Sequence, residues 1–348
     1  MPATAAQIEV IAPNLKRRLS GVTATIARLV PVQARRIGIA ATGPGLPASL
    51  PHIPLAALPF LPRDRWRVWH ARRNTEMLLG LALKHLCRRK LKLLFTSTSQ
   101  RKHSVYTRWL IARMDAVVAT SQRTARYLER PATVILHGID AESFRPPEDR
   151  AALRRNLGLP DATLIGCYGR IRAQKGTDAF VQAMLQILPS RPGATALVMG
   201  RATDKHQPFL DDLKRQVSEA GLQARILFLP EVSVDAMPDW YRALDLYIAP
   251  QRWEGFGLTP LEAMACGVPV IATRVGAFEE LVSEAAGALV EPGDIPALAA
   301  EAALLLDNPA LRAEKAAAAR ARVTAGFRIE DEAAALIALY RRLLDDPS

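Results

Sequence analysis

Cysteine is scarce in this chain. Three residues, Cys87, Cys167 and Cys266, are scattered through 348 positions. No pair has CxxC spacing, and none combines with the six histidines at a metal-ligand interval. Neither a disulfide framework nor a structural zinc is therefore expected, and the composition suits a reducing compartment. Long apolar runs are missing too: none approaches the ~18 residues a helix needs to cross a bilayer. The first residues, "MPATAAQIEVIAPNLKRR", have no basic segment followed by an apolar one, so they do not read as a secretory signal. A cytoplasmic protein is expected. Aromatic residues make up only 6%, and no known nucleic-acid-binding motif appears. That argues against a nucleic-acid-binding protein, the distant alternative that a basic chain invites.

What is present is apolar residues at 49%, charged residues at 23% and a net charge of +12. This is enough apolar content for buried cores, and the length suits two domains. The charge is uneven. Residues 1–150 hold 25 Lys+Arg against nine Asp+Glu, a balance of +16, whereas the remainder holds 21 against 25, a balance of −4. The first half is thus expected to meet an anionic partner.

Short β-branched runs alternate with helix-length segments. One series comprises residues 8–13, 37–42, 91–97, 116–121 and 133–138; a second comprises 163–169, 195–200, 225–230, 245–250 and 268–273. They are apolar on both faces, as parallel strands covered by helices are, so the fold class is α/β and doubly wound. "FRPPEDRAALRRNLGLPDA" (144–162) interrupts the series and reads as a linker with a short helix. Residues 43–62 form a proline-rich loop, and the alanine-rich tail reads as terminal helices.

Open α/β sheets bind ligands beyond the carboxyl ends of their strands. After "TLIGCYG" come Arg170, Lys175 and Gly176, two cations ahead of a helix, a combination suited to a diphosphate. A solvated loop with stray cations is the plainer alternative. After "DLYIAPQRW" come Glu254 and residues 255–259, followed by Pro260 and Glu262. Amides of such a glycine-bearing loop can face phosphate, and carboxylates on either side can accept from sugar hydroxyls. An acid stabilising a helix terminus would explain Glu262 but not Glu254. No apolar-flanked Asp-x-Asp of the kind that holds magnesium against a diphosphate appears, and the acids of "FLDDLKRQ" read as a solvated helix face. No obligatory metal is expected.

The order "HGID…F.P" (137–146), "GR…KG" (169–176), "EGFGLTPLEAMACGVPVIAT" (254–273) and "GALVEPGD" (287–294) resembles the retaining glycosyltransferases of family 4. The resemblance is dense in the second half and loose in the first. It implies a GT-B fold: two doubly wound Rossmann-like domains facing a cleft. The acceptor-binding domain would be 1–150 and the nucleotide-sugar domain 151–326, with a terminal helix (327–348) packing back on the first. It also implies that Glu254 contacts the donor hexose and Glu262 the ribose. Arg170 and Lys175, next to Gly169, would grip the diphosphate. Gly255, Phe256, Gly257, Leu258 and Thr259 would form the amide loop, and Glu231 and Val232 would border the base.

In the first domain, where the family often has two glycines in the first βα loop, only Gly21 stands here, preceded by Ser20. His103 is the candidate for a family histidine that touches the transferred sugar, beside Glu254, Arg170 and Lys175 as the catalytic set. Lys16, Arg17, Arg18, Gly21, Arg72, Arg73, Arg101 and Lys102 are the candidates for binding an anionic acceptor. "HARRN.EM" and "SQRKHS.YTRWLI.RMDAV.ATS" are similar to lipopolysaccharide core mannosyltransferases, which implies GDP-mannose as donor. The implied acceptor is a lipid-linked, acidic inner-core saccharide, met on the inner face of an anionic membrane. The same fold with UDP-glucose or UDP-galactose, or with another lipid acceptor, is the alternative.

Overall fold

The computed structural model describes residues 7–17 and 21–346. Arg18 and Ser20 lie outside the described residues. The chain divides into two compact units, residues 1–137 with 329–348, and residues 138–328.

The first unit is built on six parallel strands: β1 (Val10–Pro13), β2 (Ile39–Thr42), β3 (Arg67–Ala71), β4 (Leu91–Ser97), β5 (Ala116–Ala119) and β6 (Thr133–Val134). Their order is β2-β1-β3-β4-β5-β6. Its helices are α1 (Gly21–Gln33), α2 (Asn74–His85), α3 (Val105–Ile111) and the short α4 (Gln122–Ala125). Side chains alternate between two cores, as the pleat demands. Ile11, Trp69, Leu93, Phe95 and Val117 face α2 and α3. Val10, Ala12, Val68, Leu94 and Val118 face α1 and the chain's last helix.

The second unit has β7 (Thr163–Tyr168), β8 (Ala194–Met199), β9 (Ile226–Leu229), β10 (Leu246–Ala249), β11 (Val270–Thr273) and β12 (Gly287–Val290), in the order β12-β11-β10-β7-β8-β9. All register pairs are parallel here too. The helices are α5 (Arg150–Asn156), α6 (Thr177–Ile187), α7 (Gln207–Glu219), α8 (Met237–Arg242), α9 (Thr259–Ala265), α10 (Phe278–Leu281), α11 (Ile295–Asp307) and α12 (Pro309–Gly326). Phe180, Met184, Leu213, Leu298 and Leu305 of α6, α7 and α11 join Ile165, Val198 and Ile248 in one core.

The chain then re-enters the first unit as α13 (Ile329–Asp345). Ile329, Ala333, Leu336, Ile337, Tyr340 and Leu343 recur at helical spacing and are buried. Burial of Leu336, Ile337, Leu339 and Leu343 stabilises the helix's seat by roughly 6–12 kcal/mol before the entropy of ordering it is counted.

The structure differs from the sequence reading in three places. The division falls after His137, not near residue 150. The Pro-Pro segment is no linker, because side chains stitch it to the second unit. Arg154 donates to Asp245 Oδ2 (2.6 Å) and to the Ala243 carbonyl (2.8 Å), and Arg320 donates to the carbonyls of Ala141 (3.0 Å) and Phe144 (2.9 Å). Second, β3 and the edge strand β12 were not expected, β3 because Arg67 and His70 interrupt its apolar pattern. Both are buried with partners: Arg67 Nη1 donates to the Pro62 carbonyl (2.7 Å), and His70 bonds to the hydroxyls of Tyr340 (2.7 Å) and Thr96 (2.6 Å). Third, the proline-rich loop contains a 3-10 helix, Leu55–Phe60, and Ala41 bridges to His52. No described helix is long and apolar enough to cross a membrane.

Candidate active site

In the second unit, β7 has β8 on one side and β10 on the other, so the chain winds away from it in both directions. The carboxyl ends of β7 and β10 flank this switch point, where open parallel sheets bind ligands. The loop after β7 carries Gly169 and Arg170, both exposed, then a 3-10 turn, Ala173–Lys175, and Gly176 ahead of α6. The loop after β10 carries residues 250–258 ahead of α9.

These two loops are locked together. Gly176 has φ +71°, and a Cβ there would sit 1.8 Å from the Pro250 carbonyl oxygen, so only glycine fits. The Arg252 amide donates to the Gln174 carbonyl (3.0 Å), and its guanidinium reaches the Ala173 carbonyl (2.6 Å) and both Asp178 oxygens (2.6 and 2.7 Å). Across the same junction Lys175 Nζ donates to Glu254 Oε2. Glu254 Oε1 accepts the amide of Gly255 (3.0 Å). A cation and a carboxylate are thus held side by side at the edge of the switch point.

The glycine-bearing loop owes its composition first to packing. Gly257 (φ +88°) has no room for a Cβ, which would lie 2.2 Å from the Phe278 ring and 2.8 Å from Glu254 Cγ. Phe256 is buried, and its carbonyl accepts the Ala277 amide (3.1 Å). Gly255, Leu258 and Thr259 are half-buried. Glu231 is exposed and Val232 half-buried on the loop after β9, at the same carboxyl edge of the sheet.

Glu262 lies in the first turn of α9, and its Oε2 accepts the hydroxyl of Tyr241 (2.8 Å). Tyr241 is fully buried and packs on Tyr168 and Tyr247, with ring centroids 5.2 and 5.4 Å away. Burial, then the charge of Glu262, push its phenol well above the usual range, so it stays a donor. Sequence reasoning missed Tyr241. The available signal was a tyrosine in an apolar stretch, since a buried hydroxyl needs an acceptor.

In the first unit the switch point falls between β1 and β3. Lys16 and Arg17 are exposed just after β1, on a turn held by Asn14, whose Nδ2 donates to the carbonyls of Lys16 (3.0 Å) and Pro44 (2.6 Å). Gly21 opens α1, and a Cβ added there would meet nothing within 4 Å, so space does not require glycine at that position. Arg72 and Arg73 follow β3. Arg73 is not available to an anionic acceptor as expected: its Nη1 donates to Asn14 Oδ1 (2.7 Å) and to the buried Glu76 (2.8 Å). Asn14 and Glu76 were missed; they organise this turn from inside. Arg72 donates to the His70 carbonyl (3.2 Å) and lines a small void with Thr96, His137 and Glu332. Arg101 and Lys102 are exposed on the β4–α3 loop. His103 is partly buried, its pKa lowered by burial and then by Arg101, and it lines a hollow with Arg108, Trp109 and Tyr127. The structure groups it with α3, not with the Asn14–Arg73 cluster. Among the described residues no three or more His, Cys, Asp or Glu side chains gather as a metal site.

Two doubly wound parallel units define the GT-B class of glycosyltransferases. Residues 149–322 match the family model of the glycosyl transferases group 1. Over 97% of its length the chain is 54% identical to lipopolysaccharide core biosynthesis mannosyltransferase LpsB of Rhizobium meliloti (strain 1021), covering 98% of that protein. It is 51% identical to the LpcC mannosyltransferase of lipopolysaccharide core biosynthesis in Rhizobium leguminosarum bv. viciae, covering 97% of each. The fold is shared with Anabaena HepE, solved in complex with UDP, at a TM-score of 0.84 and 21% identity, covering 96% of this chain and all of that one. The chain belongs to the group 1 glycosyl transferases and is a hexosyltransferase.

Proposed function

We propose that this enzyme transfers mannose from GDP-mannose to the acidic inner-core saccharide of a lipid-linked lipopolysaccharide precursor, with retention of anomeric configuration. The observation that carries the reading is the Lys175–Glu254 junction at the switch point of the second unit, with Glu262 at the head of the next helix. In this reading Arg170 and Lys175 hold the diphosphate, Glu254 accepts from the hexose hydroxyls and Glu262 from the ribose. Glu231 and Val232 border the base. Support for mannose and for the acceptor comes from the two Rhizobium relatives and from the basic first unit.

Catalysis is then mainly electrostatic. Fixed donors stabilise charge that develops on the departing diphosphate, and carboxylates stabilise the cationic sugar. No nucleophile is assigned. Charge on the leaving group is met by side chains and by the amino end of α6, with no obligatory metal in the proposal. The enzyme is proposed to work peripherally on the inner face of the cytoplasmic membrane.

A donor screen tests it. GDP-mannose should raise the melting temperature and be turned over with a core acceptor, whereas UDP-glucose, UDP-galactose and UDP-N-acetylglucosamine should not. Selective turnover of a UDP-sugar would overturn the donor assignment.

A further inference from the structure

The layer formed by α2 and α3 buries one side against the sheet and leaves an apolar strip on the other. On α3, Thr107, Leu110 and Ile111 are buried, while Val105 is 74% exposed, Tyr106 48% and Trp109 44%. Tyr106 and Trp109 stack on one another at 13° between planes, and the Arg113 guanidinium lies 3.9 Å from the Trp109 ring centre. The strip continues on α2. Leu78, Leu86, Trp109 and Arg113 line one open hollow of about 630 Å³. Trp109 and Arg113 also line a second, of about 650 Å³, with His103 and Tyr127.

Leu86 and Phe60 are each 82% exposed and belong to one corner. Arg89 Nη1 donates to the Leu61 carbonyl (2.5 Å) and Arg63 Nη2 to the Cys87 carbonyl (3.1 Å), joining the two segments. Between them Arg88 has φ +51°, the one non-glycine residue with positive φ among those described. Glycine would fill that position with less strain. A long cation stands there instead, turned to solvent beside Leu86.

Charge points to the occupant. Residues 84–130 hold twelve Lys+Arg against two acids, Asp115 and Glu129, and these are paired with Lys84 and Arg108. Arg88, Lys90, Arg101, Lys102 and Arg126 remain exposed around the apolar strip. A second copy of the chain would bring the same positive field against itself. Nucleic acid would match the charge but leave the leucine and valine side chains unpaired. A surface with anionic headgroups over an apolar interior matches both, and tryptophan and tyrosine settle at such a boundary.

We propose that the outer face of α2 and α3, with the Phe60–Leu86 corner, docks on an anionic lipid bilayer. This deepens the membrane part of the function proposed above by naming the surface. The test is co-sedimentation of the full chain with phosphatidylcholine vesicles, with and without phosphatidylglycerol. Binding should require phosphatidylglycerol and weaken as salt rises. Arg88→Glu with Lys90→Glu should lower vesicle affinity by about 30-fold or more, each cation near the surface contributing a factor of roughly five. Leu86→Ser with Trp109→Ser, which leaves the charge alone, should lower it by at least about tenfold. Lys205→Glu, exposed in the second unit, is the control and should leave it unchanged. Melting curves check that the variants fold.

Undiminished binding by both double variants, or no binding by the wild type, overturns the proposal. So does a wild-type dimer that Leu86→Ser with Trp109→Ser dissolves without any change at vesicles. A wild type that binds phosphatidylglycerol vesicles but not GDP defeats the nucleotide-sugar reading and leaves the docking face standing; the reverse result defeats only the docking face.

Discussion

Lys175 donates a hydrogen bond to the carboxylate of Glu254 across the junction of the β7 and β10 loops. The group proposed to hold the diphosphate and the group proposed to hold the sugar therefore neutralise each other. A diphosphate arriving at this edge competes with Glu254 for the ammonium. Lys175→Ala should lower turnover by roughly two orders of magnitude or more, the scale of losing one charge-stabilising group. GDP should bind more weakly. Melting should move little, since a partly exposed ion pair contributes about 1 kcal/mol or less. Unchanged kinetics in folded Lys175→Ala would remove the assignment.

Metal dependence gives a second check. If Arg170, Lys175 and the uncapped amino end of α6 meet the leaving group as proposed, EDTA should leave the rate nearly intact. Loss of activity in EDTA, restored by magnesium or manganese, would contradict the proposal.

Buried His70 makes a pH prediction. Burial, then the nearby Arg72 charge, hold its pKa well below the ordinary value of 6.5. Below that pH the unfolded chain takes up a proton that the folded chain refuses. The stabilisation is complete above about pH 6.5 and declines on acidification, by up to ~1.4 kcal/mol per pH unit, until the folded imidazole protonates. Unfolding in urea between pH 5 and 8 should show a slope smaller by about one proton in His70→Gln. Equal slopes would assign the effect to other groups.

That Arg170, Lys175, Glu254 and Glu262 gather at one sheet edge was legible in the sequence, because a parallel strand followed at once by chemistry-bearing residues places them there. Their proposed roles came from the family resemblance and not from that rule. Three kinds of feature were not legible. Arg67 and His70 hid β3: Arg67 is buried on the Pro62 carbonyl just ahead of the strand, and the partners of His70, Tyr340 and Thr96, lie in distant segments. Arg73 looked like a surface cation because nothing local announces that Asn14 and Glu76 consume it. The boundary at residue 137 was invisible because Pro-Pro signals an end to regular structure, whereas Arg154, Arg320 and their carbonyl partners decide which unit owns the segment.

The final prediction separates the two acids. Tyr241→Phe keeps the ring contacts with Tyr168 and Tyr247 and deletes the hydroxyl that Glu262 accepts. A hydrogen bond to a charged group contributes ~1.5–3 kcal/mol, so both the orientation of the carboxylate and some stability should suffer. If Glu262 holds the ribose, Tyr241→Phe and Glu262→Gln should each weaken GDP by about tenfold or more on that scale. Neither should alter affinity for 2′,3′-dideoxy-GDP, which has no ribose hydroxyls to lose. Glu254→Gln should do the opposite, sparing GDP, whose rival for Lys175 has been discharged, while depressing transfer. Titration calorimetry with both nucleotides, beside turnover with GDP-mannose, distinguishes the roles. Should Tyr241→Phe and Glu262→Gln lower only the melting temperature, and bind the two nucleotides as the wild type does, then Glu262 serves the fold alone. Ribose recognition would have to come from another residue.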